Sequence, residues 1–327
     1  MRKPIDLPLA CPICHAEVTS HGTHYACPRC NKQYPVIGGI ADFRLEPDPY
    51  ISIEADRIKG QHLREMAATR SFHQMLDYYY SITPEDPADL AVHWTAHALA
   101  EQQIGSEYLR AANLQGGALL DLGCSTAGLI AAASHHFDNP VGIDCAFRWL
   151  VIGQVRLREL GIQAQLICAN AEALPFAGQQ FNAIVASDVI EHARSRRSLF
   201  AEAQRTLAPT GAFIGYTNNR YAPLPDPQVG LWGVGLLPRR WQAPYVALRR
   251  KDLHRYNVKM CGALELKRML LEAGFQQVSV TPALLSAPHK PQLKTALGLY
   301  NRAIQMPLIR ELSTLPAPRL FWRAQPQ

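Results

Sequence analysis

The feature that most limits the possible folds of this chain is an alternation of strand-like and helix-like segments that begins near residue 117. The predicted strands are Ala118–Leu122, Val141–Asp144, Gln165–Ala169, Phe181–Ser187, Ala212–Thr217, Gln276–Thr281 and Leu320–Arg323. The predicted helices are Gly128–His136, Phe147–Leu160, Ser198–Leu207 and Ala263–Ala273. This alternation is typical of a mostly parallel α/β sheet with helices on both faces, here with seven strands.

The composition supports a folded chain with more than one unit. At about 150 residues per domain, the 327 residues predict two domains, or one large domain with an appendage. With 48% apolar and 18% charged residues the chain can bury a core, which excludes a disordered protein. No apolar run approaches the ~20 residues that span a bilayer, and no signal-peptide core follows the basic start. Four of the eight cysteines lie in a metal-binding pattern and the others are scattered, so they do not imply disulfides. We therefore predict a cytoplasmic protein.

Two Cys-x-x-Cys pairs near the start of the chain predict a metal site. The twelve residues between the pairs allow four thiolates to close tetrahedrally on one zinc ion. Such a site has no open coordination position, so we expect its zinc to be structural and to supply folding energy to a very small module. The predicted ligands are Cys11, Cys14, Cys27 and Cys30.

The residues that follow the second pair carry a family resemblance. Tyr34-Pro35-Val36-Ile37-Gly38-Gly39-Ile40, after Cys-Pro-x-Cys, resembles the small zinc-ribbon family that includes the activator subunit of tRNA and translation-factor methyltransferases. The resemblance covers about residues 8–45 and implies a zinc-ribbon module over residues 1–45. Residues 46–115 are predicted to be a linker followed by helices that form a lid.

The turn after the first predicted strand has the chemistry of a nucleotide-binding loop. Its small residues let the backbone approach a ligand at a helix N-terminus, and Asp144 follows Gly123 by 21 residues, where a carboxylate can accept both ribose hydroxyls. This spacing also fits the dinucleotide of an NAD(P)-dependent oxidoreductase. Ser125 at the second glycine position, and Asp121 two residues before Gly123, instead favour the cationic S-adenosylmethionine.

Five ordered motifs then carry a stronger resemblance. They are Asp121–Cys124, Val141–Asp144, Asn170–Phe176, Phe181–His192 and Leu207–Ala212. Over residues 100–282 the chain resembles the class I S-adenosylmethionine-dependent methyltransferases, in the methyltransferase type 11 branch. This implies a Rossmann-like methyltransferase domain over residues 116–327, with a substrate-specific insertion over residues 218–260. The residues that it implies for cofactor binding are Asp121, Gly123, Ser125, Asp144, Cys145, Asn170, Ala171 and Ser187.

The resemblance also assigns parts of the cofactor to these positions. Asp121 and Gly123 would flank the methionine group, Asp144 would hold the ribose, and Asn170 would bind the adenine edge. The family's first motif loses two glycines here, one of them to Ser125, which is small enough to keep binding. A scaffold that binds without catalysis is therefore a minor alternative.

His192 is the candidate catalytic base. It follows the fourth predicted strand, at the sheet edge where α/β folds bind ligands, and an ordinary pKa near 6.5 suits proton transfer from a hydroxyl. The alternative is that His192 only packs beneath the cofactor. Glu191 and Asp188 are expected to orient the loop.

Two sets of residues before the domain could cover a pocket or belong elsewhere. Phe72, Met75, Leu76, Tyr79 and Tyr80 recur at helical spacing and could be core or lid. His93 and His97 lie one helical turn apart and could face the cleft or the solvent.

The insertion suggests the acceptor. Residues 220–260 hold eight cations and two anions, which accounts for the whole net charge of +6. Apolar Trp232 and Trp241 beside Arg239 and Arg240 fit a membrane-surface contact through residues 229–251, an RNA contact, or an ordinary solvated face. We favour a hydrophobic or lipid-linked small molecule, because this segment is too apolar for a phosphate groove. We expect O-methylation, because His192 is a plausible base for a hydroxyl. The alternative is an rRNA or tRNA base methyltransferase that uses its zinc ribbon for RNA recognition.

Overall fold

The computed structural model describes residues 7–251 and 256–326. The strands β1 to β11 are Thr19–Ser20, His24–Ala26, Gln33–Ile37, Ile40–Asp42, Ala118–Leu122, Asn139–Asp144, Gln165–Cys168, Phe181–Ser187, Leu207–Asn218, Gln277–Pro282 and Arg319–Gln325. The helices α1 to α10 are Ile53–Ala67, Phe72–Ser81, Ala88–Ala112, Gly128–Ala133, Phe147–Glu159, Arg196–Thr206, Arg239–Arg249, Ala263–Glu272, Lys294–Ala303 and Pro307–Ser313. Two 3-10 turns span Val234–Leu236 and Pro291–Leu293.

The strands within the described residues form one sheet, in the order β1-β2-β3-β4-β7-β6-β5-β8-β9-β11-β10. The prediction of seven strands is wrong, because the sheet has eleven: the four amino-terminal strands extend it at β7. The prediction of a mostly parallel sheet is also wrong, because the sheet is mixed. Strands β4 to β9 form its parallel part, whereas β1–β4 and the β9-β11-β10 end are antiparallel.

The central strands are continuously apolar because helices cover both faces of the sheet. All five residues of β5 are buried, and their side chains alternate between the two faces. Leu119 belongs to the core with Ile130 of α4, whereas Leu120 belongs to the opposite core with Leu199 of α6. The sheet therefore separates two hydrophobic layers, as in Rossmann-like folds.

The helices between the cysteine-rich strands and β5 pack on the sheet domain. A Cβ atom on Gly60 of α1 would lie 2.3 Å from the ring of Phe147, so this glycine permits the close approach of α1 to α5. Phe72, Met75 and Leu76 of α2 are buried in the same core as Phe147.

The insertion forms an exposed, partly helical surface. Trp232, Leu236, Trp241 and Leu248 are 62%, 65%, 56% and 72% exposed, respectively. Asp252 and Arg255, two of the charges counted above, lie outside the described residues. Across residues 7–251 and 256–326, none of the helices has the length and hydrophobicity that crossing a bilayer requires.

Candidate active site

A cavity of about 1010 Å³ opens at the carboxyl ends of β5 to β9. This is the edge at which α/β sheets bind ligands. All the residues that the sequence predicted for cofactor binding or catalysis line it. They are Asp121, Gly123, Ser125, Asp144, Cys145, Asn170, Ala171, Ser187 and His192. The structure thus brings together residues from the ends of four different strands, β5, β6, β7 and β8, while their individual roles stay predictions.

The loop after β5 adopts a left-handed conformation at alternate residues. Gly123 has φ +72°, and Ser125 and Ala127 have φ +46° and +61°. A left-handed residue with a Cβ costs roughly 1–2 kcal/mol, so the two departures from glycine are accommodated with strain.

Asp144 is anchored by this loop. Its carboxylate accepts hydrogen bonds from the Ser125 N–H at 2.9 Å and from the Ala146 N–H at 2.7 Å. Burial raises the pKa of Asp144 to about 6, although these two donors oppose the shift. The carboxyl group is therefore oriented towards the cavity and sensitive to pH near neutrality.

Two further carboxyl groups lie in the same part of the cavity. Burial raises the pKa of Asp121 well above its usual value, and the charges of Glu101 and Asp144 add to this. Glu101 accepts hydrogen bonds from Thr126 at 2.8 Å and from Arg156 at 2.9 Å. The potential at Asp121 is therefore negative, which favours a cationic ligand.

Asn170 is held by residues 45–46, at the predicted boundary between the zinc ribbon and the linker. Its amide oxygen accepts from the backbone N–H groups of Leu45 and Glu46 at 2.9 and 3.0 Å, and its amide nitrogen donates to the Glu46 carbonyl at 3.1 Å. The predicted adenine contact of this side chain therefore has to share polar atoms that already hold residues 45–46. Residues 47–51 continue from there along the cavity wall.

His192 lies half-buried in the cavity wall. Burial lowers its pKa, and the nearby Asp188 only partly opposes this, so the imidazole is neutral at pH 7. Asp188 itself forms an ion pair with Arg319 at 2.6 Å. Glu191 accepts a hydrogen bond from Thr217 at 3.0 Å, and burial raises its pKa to about 7. Both carboxyl groups are thus held by other side chains close to His192.

The other predicted pocket residues divide between core and cavity. Tyr79 and Tyr80 line the cavity, with the ring of Tyr79 at 4.3 Å from that of Trp149, whereas the rest of the α2 stripe is core. His93 and His97 also line the cavity, so they face the cleft.

Sequence reasoning missed several residues of this cavity. Arg319 donates to the hydroxyl of Tyr108 at 2.6 Å, and Tyr256 donates to Asp226 at 2.7 Å. Nothing in the local sequence marks Arg319, because the contact depends on β11 lying next to β9.

The four predicted zinc ligands come together near the amino-terminal end of the described residues. The sulfur atoms of Cys11, Cys14, Cys27 and Cys30 all lie within 4.8 Å of one another. Tyr34 lies next to them, with its hydroxyl 3.1 Å from the Cys11 sulfur. The geometry is suggestive of a four-thiolate metal site.

Part of this sequence is similar to the sequences of known methyltransferases. Residues 120–215 match the family described as "Methyltransferase domain". The ubiquinone/menaquinone biosynthesis C-methyltransferase UbiE of Photorhabdus laumondii is 31% identical over 182 residues, which cover 51% of this chain and 69% of that protein. The chain belongs to the class I S-adenosylmethionine-dependent methyltransferases.

Another curated relative matches a smaller share of this chain, and two solved structures match a larger share at lower identity. The ubiquinone biosynthesis O-methyltransferase of Azorhizobium caulinodans is 30% identical to this methyltransferase, over 33% of this chain and 42% of that protein. The geranyl diphosphate C-methyltransferase structure from Streptomyces coelicolor has a TM-score of 0.48 at 16% identity, covering 74% of this chain and 86% of its own. A possible histamine N-methyltransferase from Thermotoga maritima has a TM-score of 0.47 at 16% identity, covering 76% and 99%.

The family assignment decides between the two nucleotide alternatives. This methyltransferase uses S-adenosylmethionine as its methyl donor, and the oxidoreductase alternative has no support. The donor fits the site, because its ammonium and sulfonium charges would offset the unfavourable interaction of the Asp121 carboxylate with the charges of Glu101 and Asp144.

Proposed function

We propose that this methyltransferase O-methylates a hydrophobic or lipid-linked small molecule. The observation that carries the proposal is the cavity. At about 1010 Å³ it reaches the upper end of the roughly 300–1,000 Å³ of ligand pockets, so it has room for a donor and an acceptor together. Its wall includes Tyr79, Tyr80, Trp94 and Trp149, which offer large apolar surfaces. The names of the two relatives above point to acceptors of ubiquinone type.

Within this proposal each cofactor residue has one task. Asp144 binds the ribose hydroxyls, and Asp121 and Gly123 lie along the methionine group. Cys145, Asn170 and Ala171 border the adenine, while Ser125 and Ser187 complete the walls between them. When bound, S-adenosylmethionine supplies an activated methyl group, so the protein mainly positions the acceptor and excludes water.

His192 is the proposed base for the acceptor hydroxyl. Its lowered pKa keeps the imidazole neutral and able to take a proton at pH 7. Asp188 and Glu191, fixed by Arg319 and Thr217, hold the loop on which His192 lies.

Methyl transfer into lipid extracts tests this function. We expect the enzyme to transfer a tritiated methyl group from S-adenosylmethionine into an organic extract of total bacterial lipids. His192→Gln should lower the incorporation at least tenfold and leave the affinity for S-adenosylhomocysteine within twofold. Calorimetry that shows binding of NADH but not of S-adenosylhomocysteine would refute the cofactor assignment.

The amino-terminal module is proposed to be a structural zinc ribbon over residues 1–45, followed by lid helices over residues 46–115. Support comes from the four converging sulfurs, which leave no open coordination position. Burial of Cys11 and Cys27 in the core that contains Phe43 and Phe176 suits a structural role.

Residues 229–251, within the proposed insertion over residues 218–260 of the methyltransferase domain (residues 116–327), are proposed to contact a membrane surface. Trp232, Leu236 and Trp241 are exposed, next to the exposed cations Arg240 and Arg249. Aromatic and aliphatic side chains with flanking cations are typical of interfacial contacts with anionic lipids.

Flotation with liposomes checks this contact. The protein should float with anionic vesicles of phosphatidylglycerol and phosphatidylcholine, and Leu236→Ser with Trp241→Ser should reduce the bound fraction at least fivefold. The matched control is Ile58→Ser, which removes an exposed apolar side chain of α1. Salt-sensitive binding of total RNA without flotation would favour the RNA alternative instead.

A further inference from the structure

Four basic side chains line the same cavity as the predicted cofactor residues. His93 and His97 come from α3, and His289 and Lys290 come from the segment between β10 and the second 3-10 turn. Because His93 and His97 are four residues apart, adjacent turns of α3 present them on one face. The ring of His289 lies 5.8 Å from that of His93 and 6.0 Å from that of His97, between centroids. We call these four residues the basic cluster.

The ring nitrogens of His289 lack hydrogen-bond partners in this arrangement of the described residues. Both of its ring nitrogens are inaccessible to solvent and have no hydrogen-bond partner among the described residues. Buried polar atoms without a partner are rare in folded proteins, because leaving them unpaired costs free energy. A ligand that accepts a hydrogen bond at this position would remove that cost.

The basic cluster also differs in charge from the rest of the cavity. The other cations of the wall have carboxylate partners: Arg148 contacts Asp48 at 3.2 Å, and Arg319 contacts Asp188 at 2.6 Å. Within residues 7–251 and 256–326, Lys290 forms no such ion pair.

The groups that act on His289 are all basic. Burial lowers its pKa to about 4, and Lys290, His97 and His93 contribute to the shift. The pKa of His93 is also lowered, by burial and by the charges of Lys290 and His97. The wall therefore brings the charge of Lys290 and the N–H donors of the neighbouring imidazoles to one place, which suits an anion.

We propose that His93, His97, His289 and Lys290 bind an anionic group, phosphate or carboxylate, that the methyl acceptor carries. The inference rests on the proposed function only in assigning the anion to the acceptor. An acceptor of this kind combines an apolar body, which the tyrosine and tryptophan walls cover, with one charged group that sets its orientation. The carboxylate of the donor's methionine group has the same chemistry, so the experiment has to distinguish the two sources.

Calorimetry on the full chain saturated with S-adenosylhomocysteine, with inorganic pyrophosphate and butyrate as probes, tests the proposal. The donor's carboxylate then occupies its own place, and at least one probe should still bind. His289→Ala and Lys290→Ala should each weaken the binding of that probe at least tenfold. His135→Ala and Lys267→Ala are the matched controls, because they change exposed residues outside the cavity wall, and they should leave binding within twofold.

A second readout is the pH dependence of sulfate binding, because sulfate keeps its charge between pH 5.5 and 7.5. An anion favours the protonated imidazole and raises its pKa, so binding takes up protons and becomes tighter as the pH falls. We expect the affinity for sulfate to rise at least fivefold from pH 7.5 to 5.5. In the triple variant His93→Ala, His97→Ala, His289→Ala this pH dependence should disappear.

The possible outcomes separate this inference from the proposed function. If the loaded protein binds neither probe, the anion site is refuted and the methyltransferase function stands. If His289→Ala and Lys290→Ala weaken S-adenosylhomocysteine itself tenfold, the cluster binds the donor's carboxylate and the inference is refuted. If the wild-type chain does not bind S-adenosylhomocysteine, the proposed function is refuted, and with it the assignment of the anion to a methyl acceptor.

Discussion

Backbone donors hold both oxygens of the Asp144 carboxylate, at 2.9 Å from Ser125 and 2.7 Å from Ala146. The same contacts fix the left-handed loop after β5, where Ser125 stands at φ +46°. One side chain therefore orients the loop and offers its remaining acceptor capacity to the cavity. Such double use explains why a serine, in spite of its strain, can replace a glycine of the family's motif.

The affinity for S-adenosylhomocysteine should fall in mild acid because of Asp144. Burial raises its pKa to about 6, and the ribose hydroxyls bind the carboxylate, so protons compete with the ligand below that pH. We expect binding about tenfold weaker at pH 5 than at pH 7. Calorimetry across this range checks it.

The variant Asp144→Asn tests whether this pH dependence comes from Asp144. Asp144→Asn should bind several-fold to a hundredfold more weakly at pH 7, because it removes charge-assisted hydrogen bonds, and should lose the acid limb near pH 6. Asp77→Asn, on the exposed face of α2, should behave as the unchanged chain. An acid limb that persists in Asp144→Asn would show that another group controls binding.

Among the elements, the segment between β4 and α1 carries the largest buried charge network of the cofactor side. Arg44 forms ion pairs with Asp42 at 2.7 Å and with Asp56 at 2.6 Å, all three side chains being fully buried. Burial alone would raise the pKa of Asp42, but Arg44 and Arg57 hold it below its usual value. Arg44 also donates to the carbonyl of Cys145 at 3.0 Å, so this segment supports the cavity wall.

Removing Arg44 should destabilise the protein strongly. Arg44→Met leaves two buried carboxylates short of a partner, for which about 3–5 kcal/mol is typical. Arg194→Met breaks an exposed pair with Glu46 and should cost about 0–1 kcal/mol. Urea unfolding gives both free energies. Equal losses in the two variants would mean that the buried network does not stabilise this segment.

At the scale of the whole molecule, the cysteine-rich strands and the methyltransferase strands share one sheet. β4 pairs with β7 in parallel, and Leu9 bridges to Phe176 beside the loop that contains Asn170. The Ala10 N–H donates to the Pro175 carbonyl at 3.0 Å. The amino-terminal module is therefore continuous with the cofactor side of the cavity.

Loss of the metal should thus reach the cofactor site. We expect one zinc per chain, and its removal by chelation should unfold the small module, lower the melting temperature and weaken S-adenosylhomocysteine binding several-fold. Cys27→Ser with Cys30→Ser should reproduce this, whereas Cys261→Ser, a buried cysteine elsewhere, should keep its zinc. Elemental analysis that finds no zinc in freshly prepared protein would contradict the proposed site.

The sequence by itself determined the features that depend on neighbours along the chain. The strand–helix alternation predicted an α/β sheet covered by helices, because residues within one strand or helix fix its hydrophobic pattern. The place of the loop after β5 in the cavity wall was predictable for the same reason, since Asp121 lies in β5, Gly123 follows that strand directly and Asp144 ends the next one. The spacing of the four cysteines likewise predicted their cluster.

Only the tertiary structure decided which separate segments meet. Strand β4 extends the sheet through backbone hydrogen bonds to β7, and backbone groups carry no signature in the side-chain pattern. Asn170 is held by residues 45–46, and His97 meets His289, although at least 124 residues separate the members of each pair along the chain. These contacts exist because strand order and helix packing bring distant residues to one sheet edge, which local periodicity does not encode.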